Sequence, residues 1–227
     1  LSSYPLAHNF ADTQRRYREH YHDKIAGVPR EHAGEGIASA HDIVRFKHPV
    51  TAADIVPDAL PRALWLDAID NDAVSDYHLV DTATLAFARP GIVKTWSLAG
   101  ATATVRWQLN GFAGRRFVTR LNLAMPSCDG FLGRYVLADG GVPGGFGQPL
   151  DLAEASSLVL EDDVLGGRVR LAASIPGEIT GRPQQTVSQS EAGFEKIMQA
   201  VEIAFLWHLP DDDCTLQLQL TIETSTP

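Results

Sequence analysis

The sequence predicts an all-β fold, antiparallel sheets stacked as a sandwich behind short N-terminal helices. Three observations carry this expectation. Beyond Asp72, apolar residues recur with period two, as in Ala103-Val105-Trp107-Leu109 and Leu216-Leu218-Leu220-Ile222. That spacing gives a strand one buried and one wet face. Turn signals separate these runs. Helical patterns precede the strand patterns instead of alternating with them, which argues against βαβ units and a parallel sheet.

The first expected element is a helix over Asp12–Ile25, with Asp12 as N-cap, Gly27 as stop and Pro29 beyond. Its apolar stripe is thin, Tyr17 and Tyr21 beside Gln14 and Lys24, which suits docking on another body. A second short helix is expected at Ile37–Phe46. A third follows Pro61, where Ala63, Leu64, Trp65, Leu66 and Ile69 cluster. Residues 1–72 therefore read as a helical lead-in and linker, and residues 73–227 as the β-sandwich domain.

Strands are expected at Thr82–Ala88, Ile92–Leu98, Thr102–Leu109 and Arg116–Ala124. In the last, Phe117, Thr119, Leu121 and Leu123 share one face, and Val118, Arg120 and Asn122 the other. Gly130–Pro149 is rich in glycine and proline and reads as a long loop or a pair of loose strands. Ser157–Glu161 and Arg168–Ala172 form a hairpin around Gly166-Gly167. Phe194–Leu209 has helical propensity in its first half. Val201, Ile203, Phe205 and Trp207 recur with period two in its second half, so strand is preferred there. Leu216–Glu223 closes the sheet.

With 227 residues, 44% of them hydrophobic, the chain can bury a core in one β unit. A net charge of −9 and a pI near 5.3 argue against nucleic acid and against an anionic membrane as partner. No apolar run approaches the ~20 residues that a membrane-spanning helix needs. Leu1-Ser2-Ser3-Tyr4-Pro5 offers neither a starting Met nor a basic-then-apolar leader. The expectation is a piece of a longer polypeptide. Cys128 and Cys214 form no CxxC pair and are too few for a disulfide framework. Free thiols and a cytoplasmic origin are expected.

Chemical motifs are sparse. The eight histidines include no HExxH, and His20 and His22 fall on different faces of a helix, so no zinc set converges. Glu161-Asp162-Asp163 and Asp211-Asp212-Asp213 lack the spacing of a calcium loop. No metal and no cofactor are expected. GxSxG, Walker and dinucleotide-binding motifs do not occur. Glycoside hydrolysis needs two carboxyl groups roughly 5–10 Å apart. Glu178, Glu191 and Glu195 are available, but nothing in their spacing pairs them. A sugar-epimerising sandwich would use a His and a Glu, a part open to His208 with Glu202. All four tryptophans can stack on a sugar ring. Trp107 and Trp207 lie on apolar faces and read as core, and Trp96 is kept as a carbohydrate-contact candidate.

Pro183–Leu209 reads PQQTVSQSEAGFEKIMQAVEIAFLWHL. Thr186-Val187-Ser188-Gln189-Ser190-Glu191, Gly193-Phe194-Glu195, Gln199 and Trp207 closely resemble the closing region of the C-terminal β domain of glycoside hydrolase family 57. That family contains α-amylases and 4-α-glucanotransferases. Phe117–Leu123, ending in Asn122-Leu123, is similar to a strand of the same domain. Ser39–Val44 is similar to its linker helix, and Tyr21–Lys24 to the end of the helical region before it. Arg120 departs from the acidic residue expected before Asn-Leu, and Leu60–Trp65 departs from the usual aromatic and basic pattern.

The resemblance implies a β-supersandwich related to the galactose-mutarotase fold. It also implies that nucleophile and acid sit in an N-terminal (β/α) barrel. A barrel needs about 250 residues of its own, so this chain does not contain it. The implied function is a non-catalytic C-terminal sandwich of an α-glucan-acting hydrolase or 4-α-glucanotransferase. Its partners would be the catalytic barrel, which it stabilises, and α-glucan or a maltooligosaccharide. Carbohydrate-contact candidates are Ser188, Ser190, Glu191, Glu195, Asn122 and Trp96, whose hydroxyl, carboxylate, amide and ring groups suit a sugar; no catalytic residue is expected. The competing reading of that segment is a packed turn, with Thr186 and Ser188 bonding backbone and Gly193 allowing the bend. Two other functions stay open, a free-standing carbohydrate-binding module and a mutarotase-like sugar epimerase.

Overall fold

The computed structural model describes residues 19–25, 49–58, 62–125, 127, 132–190 and 193–224. Strands among them are β1 (Leu66–Ile69), β2 (Asp72–Val74), β3 (His78–Asp81), β4 (Ala86–Arg89), β5 (Ile92–Ala99), β6 (Thr102–Leu109) and β7 (Arg116–Leu123). They continue with β8 (Gly133–Val136), β9 (Gly144–Gly145), β10 (Leu150–Asp162), β11 (Gly167–Ser190), β12 (Gly193–His208) and β13 (Cys214–Thr224). Every strand pairing is antiparallel. The hydrogen-bonded order is β2-β1-β7-β12-β11-β13-β6-β5-β4-β3, with β10 beside β11 and carrying β8 and then β9.

The all-β antiparallel expectation is borne out, with local corrections. The helix expected after Pro61 is instead β1, because Leu66–Ile69 pair with β2 on one side and β7 on the other. Helical propensity is a weak preference that such pairing overrides. Asp70 and Asn71, at φ 50° and 82°, make the two-residue turn that closes the β1–β2 hairpin. Thr82–Ala88 is not one strand. The Asp81 carboxylate accepts bonds from the Ala83 amide (2.9 Å) and the Thr84 hydroxyl (2.6 Å), which curls residues 82–85 into a turn before β4. The first half of Phe194–Leu209 is strand like the second, since β11 pairs with β12 from Gly193 onward. The Gly/Pro-rich stretch yields the short strands β8 and β9. Of the helix expected at Asp12–Ile25, the described part is a 3₁₀ turn at His20–Lys24. The helix expected at Ile37–Phe46 lies outside the described residues, as does Cys128. Cys214 is a half-buried free thiol.

The sheet is folded over on itself. Five strands stand between β1 and β5 in the hydrogen-bonded order, which would separate them by about 29 Å in a flat sheet. Yet the Lys94 ammonium on β5 lies 2.7 Å from the Asp67 carboxylate on β1. Trp107 on β6 likewise meets Phe117 on β7 edge-on, with ring centroids 5.4 Å apart. The space between the layers is filled from both sides. Val105, Trp107, Leu109, Leu216 and Leu218 come from one layer, and Phe117, Leu121, Val201, Ile203 and Phe205 from the other. Trp107 and Trp207 are core residues, as their faces predicted.

One strand belongs to both layers. β11 pairs with β13 through Ala173 and with β12 from Glu178. The bend between is fastened by Trp207, whose indole N–H donates to the Ile175 carbonyl at 3.2 Å. Gly177 permits this contact. A Cβ there would sit 2.5 Å from the Leu206 carbonyl oxygen and 2.8 Å from the Trp207 ring.

Asp67 and Lys94 organise the interior between the layers. Asp67 Oδ2 accepts bonds from Lys94 Nζ (2.7 Å), the Tyr77 hydroxyl (2.8 Å) and the Trp107 indole (3.0 Å). Its Oδ1 accepts from the Thr119 hydroxyl at 2.9 Å. Lys94 Nζ also donates to the Trp65 carbonyl at 2.7 Å, and it lies 5.4–5.6 Å from the ring centroids of Tyr77, Trp96 and Trp107. Burial, then the adjacent Asp67 charge and its hydrogen bond, push the Tyr77 phenol far above its ordinary pKa.

Two outcomes follow in urea denaturation. Lys94→Ala strands a buried carboxylate and should lose about 3–5 kcal/mol, whereas Asp67→Asn combined with Lys94→Met should lose much less; equal losses would refute the pairing as the source. Gly177→Ala should lose about 1–3 kcal/mol by overpacking against Trp207.

Candidate functional site: a polar cleft beside the β11 edge

β10 stops pairing with β11 at Gly181. From Arg182 onward, one edge of β11 has no strand partner among the described residues. Such an edge needs a cover, and the N-terminal turns supply it. The Glu19 backbone N–H donates to His22 Nδ1 at 3.1 Å, so the ring proton sits on Nε2, which donates to the Val187 carbonyl at 3.1 Å. The Tyr21 hydroxyl reaches the same carbonyl at 3.5 Å. Behind these bonds is a small separate core of Ile55, Val187 and Phe194, joined by Tyr21, Ile25 and Val50.

A second 3₁₀ turn, Ala52–Ile55, is fastened to β12 by Asp54, whose carboxylate lies 2.7 Å from Lys196 Nζ. Burial opposes ionisation of Asp54. Its bonds from Lys196 and from the Thr51 amide and hydroxyl outweigh that, and hold the carboxyl below its ordinary value.

Across β11 and β12 the register slips once. Gln184 pairs with Ala200 and Gln185 with Met198, leaving Gln199 as the extra residue of a β-bulge. Bulges re-aim side chains and recur beside functional sites. Here the bulge lines a cleft of about 410 Å³, within the roughly 300–1,000 Å³ usual for ligand pockets. Gln184, Gln185, Thr186, Ser188, Gln199 and Asn122 bring amides and hydroxyls to its wall, and Tyr21, Ile55 and Ile197 bring apolar surface. Among the described residues, the side chains of Thr186 and Ser188 make no hydrogen bond, so the packed-turn reading of those two does not hold. Of the charged wall residues, Arg62 and Asp54 are neutralised within the protein, and Glu19 is exposed. Arg62 forms a two-pronged pair with Asp58 at 2.7 and 2.8 Å, and Asp54 pairs with Lys196.

The sequence candidates divide between places. Ser188 and Asn122 lie in the cleft wall. Asn122 is buried and its backbone N–H donates to the Ala63 carbonyl. Glu195 is directly opposite Ser188 across the β11–β12 ladder and is half-buried. The backbone of Ser190 pairs with Gly193 at the end of that ladder. Glu191 lies outside the described residues. Trp96 is elsewhere, on β5, packed edge-on against Trp65 at 4.7 Å and close to Lys94.

Of the carboxyl groups considered for catalysis, Glu178 and Glu195 are far apart, and Glu191 lies outside the described residues. Glu178 and Ser188, the partner of Glu195, are ten residues apart on one strand, or about 33 Å. Glu202 and His208 are six apart on β12, about 20 Å, and the acid nearest His208 is Glu178 at 3.5 Å on an exposed surface. No group of three or more His, Cys, Asp or Glu among the described residues is arranged to hold a metal ion. Asp162 instead organises a turn, accepting from the Ser127 amide and hydroxyl and from the amides of Val164 and Leu165. Gln184 and Gln185 carried no signal as site residues in the sequence, and His22 stood in the resembling patch Tyr21–Lys24 without being singled out. Gln199 carried one, as a member of the resembling segment, but its bulge is a property of register.

A family model described as "Alpha-amylase/4-alpha-glucanotransferase, C-terminal" matches residues 1–82 and 73–220. The chain belongs to this family. It is 28% identical over 231 residues to a 4-alpha-glucanotransferase of Thermococcus litoralis, covering 91% of this chain and 34% of that protein. To an alpha-amylase of Pyrococcus abyssi it is 24% identical over 230 residues, covering 91% and 33%. The crystal structure of 4-alpha-glucanotransferase from Thermococcus litoralis shares its fold at a TM-score of 0.52 and 16% identity, over 80% of this chain and 32% of that chain. The chain thus spans about a third of the length of the curated relatives it matches. Its cleft belongs to the C-terminal domain of the family, formed where the chain's own N-terminal turns meet β11.

Asp54 gives that seam a pH dependence. Its folded carboxyl titrates below the ordinary value of about 3.9, so its stabilising contribution is complete above that value. The contribution is lost as pH falls through the lowered folded one. Acidification should therefore loosen the Ala52–Ile55 turn, seen as NMR shifts of the Ile55 methyls. Asp54→Asn should show the loosened state at neutral pH and no further change on acidification.

Proposed function

We propose that this chain is the C-terminal sandwich domain of an enzyme acting on α-glucans, a hydrolase or a 4-α-glucanotransferase. The domain is non-catalytic. It stabilises the N-terminal catalytic barrel, contributes one wall of the substrate cleft and contacts glucan. The single observation that carries this reading is the family match, which runs through nearly the whole chain. Relatives named as a 4-alpha-glucanotransferase and an alpha-amylase are about three times as long, which leaves room for a barrel ahead of this domain. Two features support a non-catalytic role. Glu178 and Glu195, which a glycosidase mechanism would need at roughly 5–10 Å, stand about 33 Å apart along β11, and the histidine that an epimerase would use stands away from Glu202.

The division of labour has a direct test. The isolated chain, incubated with maltoheptaose, should release no shorter or longer maltooligosaccharides by chromatography; turnover would defeat the non-catalytic assignment. In the full-length polypeptide, truncation ahead of β1 should lower the melting temperature of the remaining barrel. An unchanged transition would remove the stabilising role.

A further inference from the structure

We infer that the cleft at the β11–β12 bulge is a binding site for an uncharged polyhydroxylated ligand, a stretch of neutral glucan chain. The inference rests on the α-glucan reading above and assigns its sugar contact to one place. Three features of the cleft select this ligand class.

The wall offers hydrogen bonds that are not already used. The side chains of Gln184, Gln185, Thr186, Ser188 and Gln199 make no hydrogen bond among the described residues. Each amide supplies both donors and acceptors and each hydroxyl supplies both kinds, the match that a ring of sugar hydroxyls requires. Two of the wall charges are also cancelled from within, Arg62 by Asp58 and Asp54 by Lys196, which leaves the exposed Glu19 carboxylate at the rim. An anionic ligand would find no counter-ion there without breaking an existing pair, and a cationic one would find only Glu19. Finally, Tyr21 and Ile197 add apolar surface, which suits the C–H faces of a pyranose ring.

Another depression differs in its charge. It lies along β10, lined by Asp151–Ser157, residues 137–139 and Pro176, with a volume near 760 Å³. Its polar edge is acidic, from Asp139, Asp151 and Glu154, and Asp151 is spent on Arg182 at 2.5 Å. It serves as the comparison site.

The experiment is an amide-shift NMR titration of the whole chain with maltoheptaose. Shifts are expected at residues 184–188 and 197–200, with affinity unchanged between low and high salt because the ligand carries no charge. Gln185→Ala and Gln199→Ala, both exposed positions, should leave the melting temperature unchanged and weaken binding about fivefold each, the effect of one typical hydrogen bond. Saturable shifts confined to the β10 groove or to the Trp96 surface, with both variants binding normally, would overturn the cleft assignment and leave the α-glucan reading intact. Absence of any saturable shift would overturn the glucan contact altogether. Affinity that falls steeply with salt would overturn the neutral-ligand argument.

Discussion

Closure of the sandwich depends on one buried ion pair, Asp67 with Lys94. A buried pair gains little over apolar packing, because desolvation of both charges offsets their attraction. Its effect is on choice. A one-residue slip of β1 or β5 would turn one partner to the opposite face of its strand. The other would then be buried alone, a state about 3–5 kcal/mol worse. The pair therefore locks the registers of strands that five others separate in the sheet. Its supporting donors come from three further places, Tyr77 after β2, Trp107 on β6 and Thr119 on β7. The rings around Lys94 favour the ammonium through their faces, so the charge is solvated by protein once water has left.

The second constraint is the shared strand. The N-terminal half of β11 builds the layer that holds β13, and its C-terminal half builds the layer that holds β12. The cleft sits on that second half, beyond the last residue that β10 can pair. Site and core are thereby parts of one covalent element, joined through a bend that Trp207 and Gly177 hold. The outer surface near the start of β11 is held differently. Arg134, Glu161, Arg168 and Glu223 lie directly opposite one another on successive strands and alternate in sign. With Arg170 also paired to Glu223, that surface is a ladder of exposed pairs, each of modest worth.

Period-two patterning made β6 and β13 legible almost to the residue, because each has one inner and one outer face, and the ends of β5 and β7 were legible as well although β7 is buried on both faces. Elements whose cause is distant were not legible in the same way. Leu66–Ile69 reads as helix until Asp67 is known to need Lys94, Trp107 and Thr119 around it. The Asp70-Asn71 turn closes the hairpin with both residues at positive φ, a backbone state that the apolar cluster beside it does not report. Within the cleft, Ser188 and Asn122 were reachable through the resembling segments. His22 lay in the resembling patch Tyr21–Lys24, but its role depends on a free edge 165 residues away. Gln185 was equally hidden, since its exposure follows from a register slip that no periodicity reports.

The location of the cleft has a consequence for the domain. Its wall is assembled from two bodies, the turns around His22 and Asp54 on one side and the β11–β12 ribbon on the other. Among the contacts of described residues that join those bodies are the bonds to the Val187 carbonyl, the Asp54–Lys196 pair and a core of three buried residues. A ligand touching both bodies favours their joined state over any in which they part, by an amount set by its concentration relative to its dissociation constant. Occupancy of the cleft would thus tighten the N-terminal turns against the β11–β12 ribbon. Binding and domain cohesion would then be two readings of the same free energy.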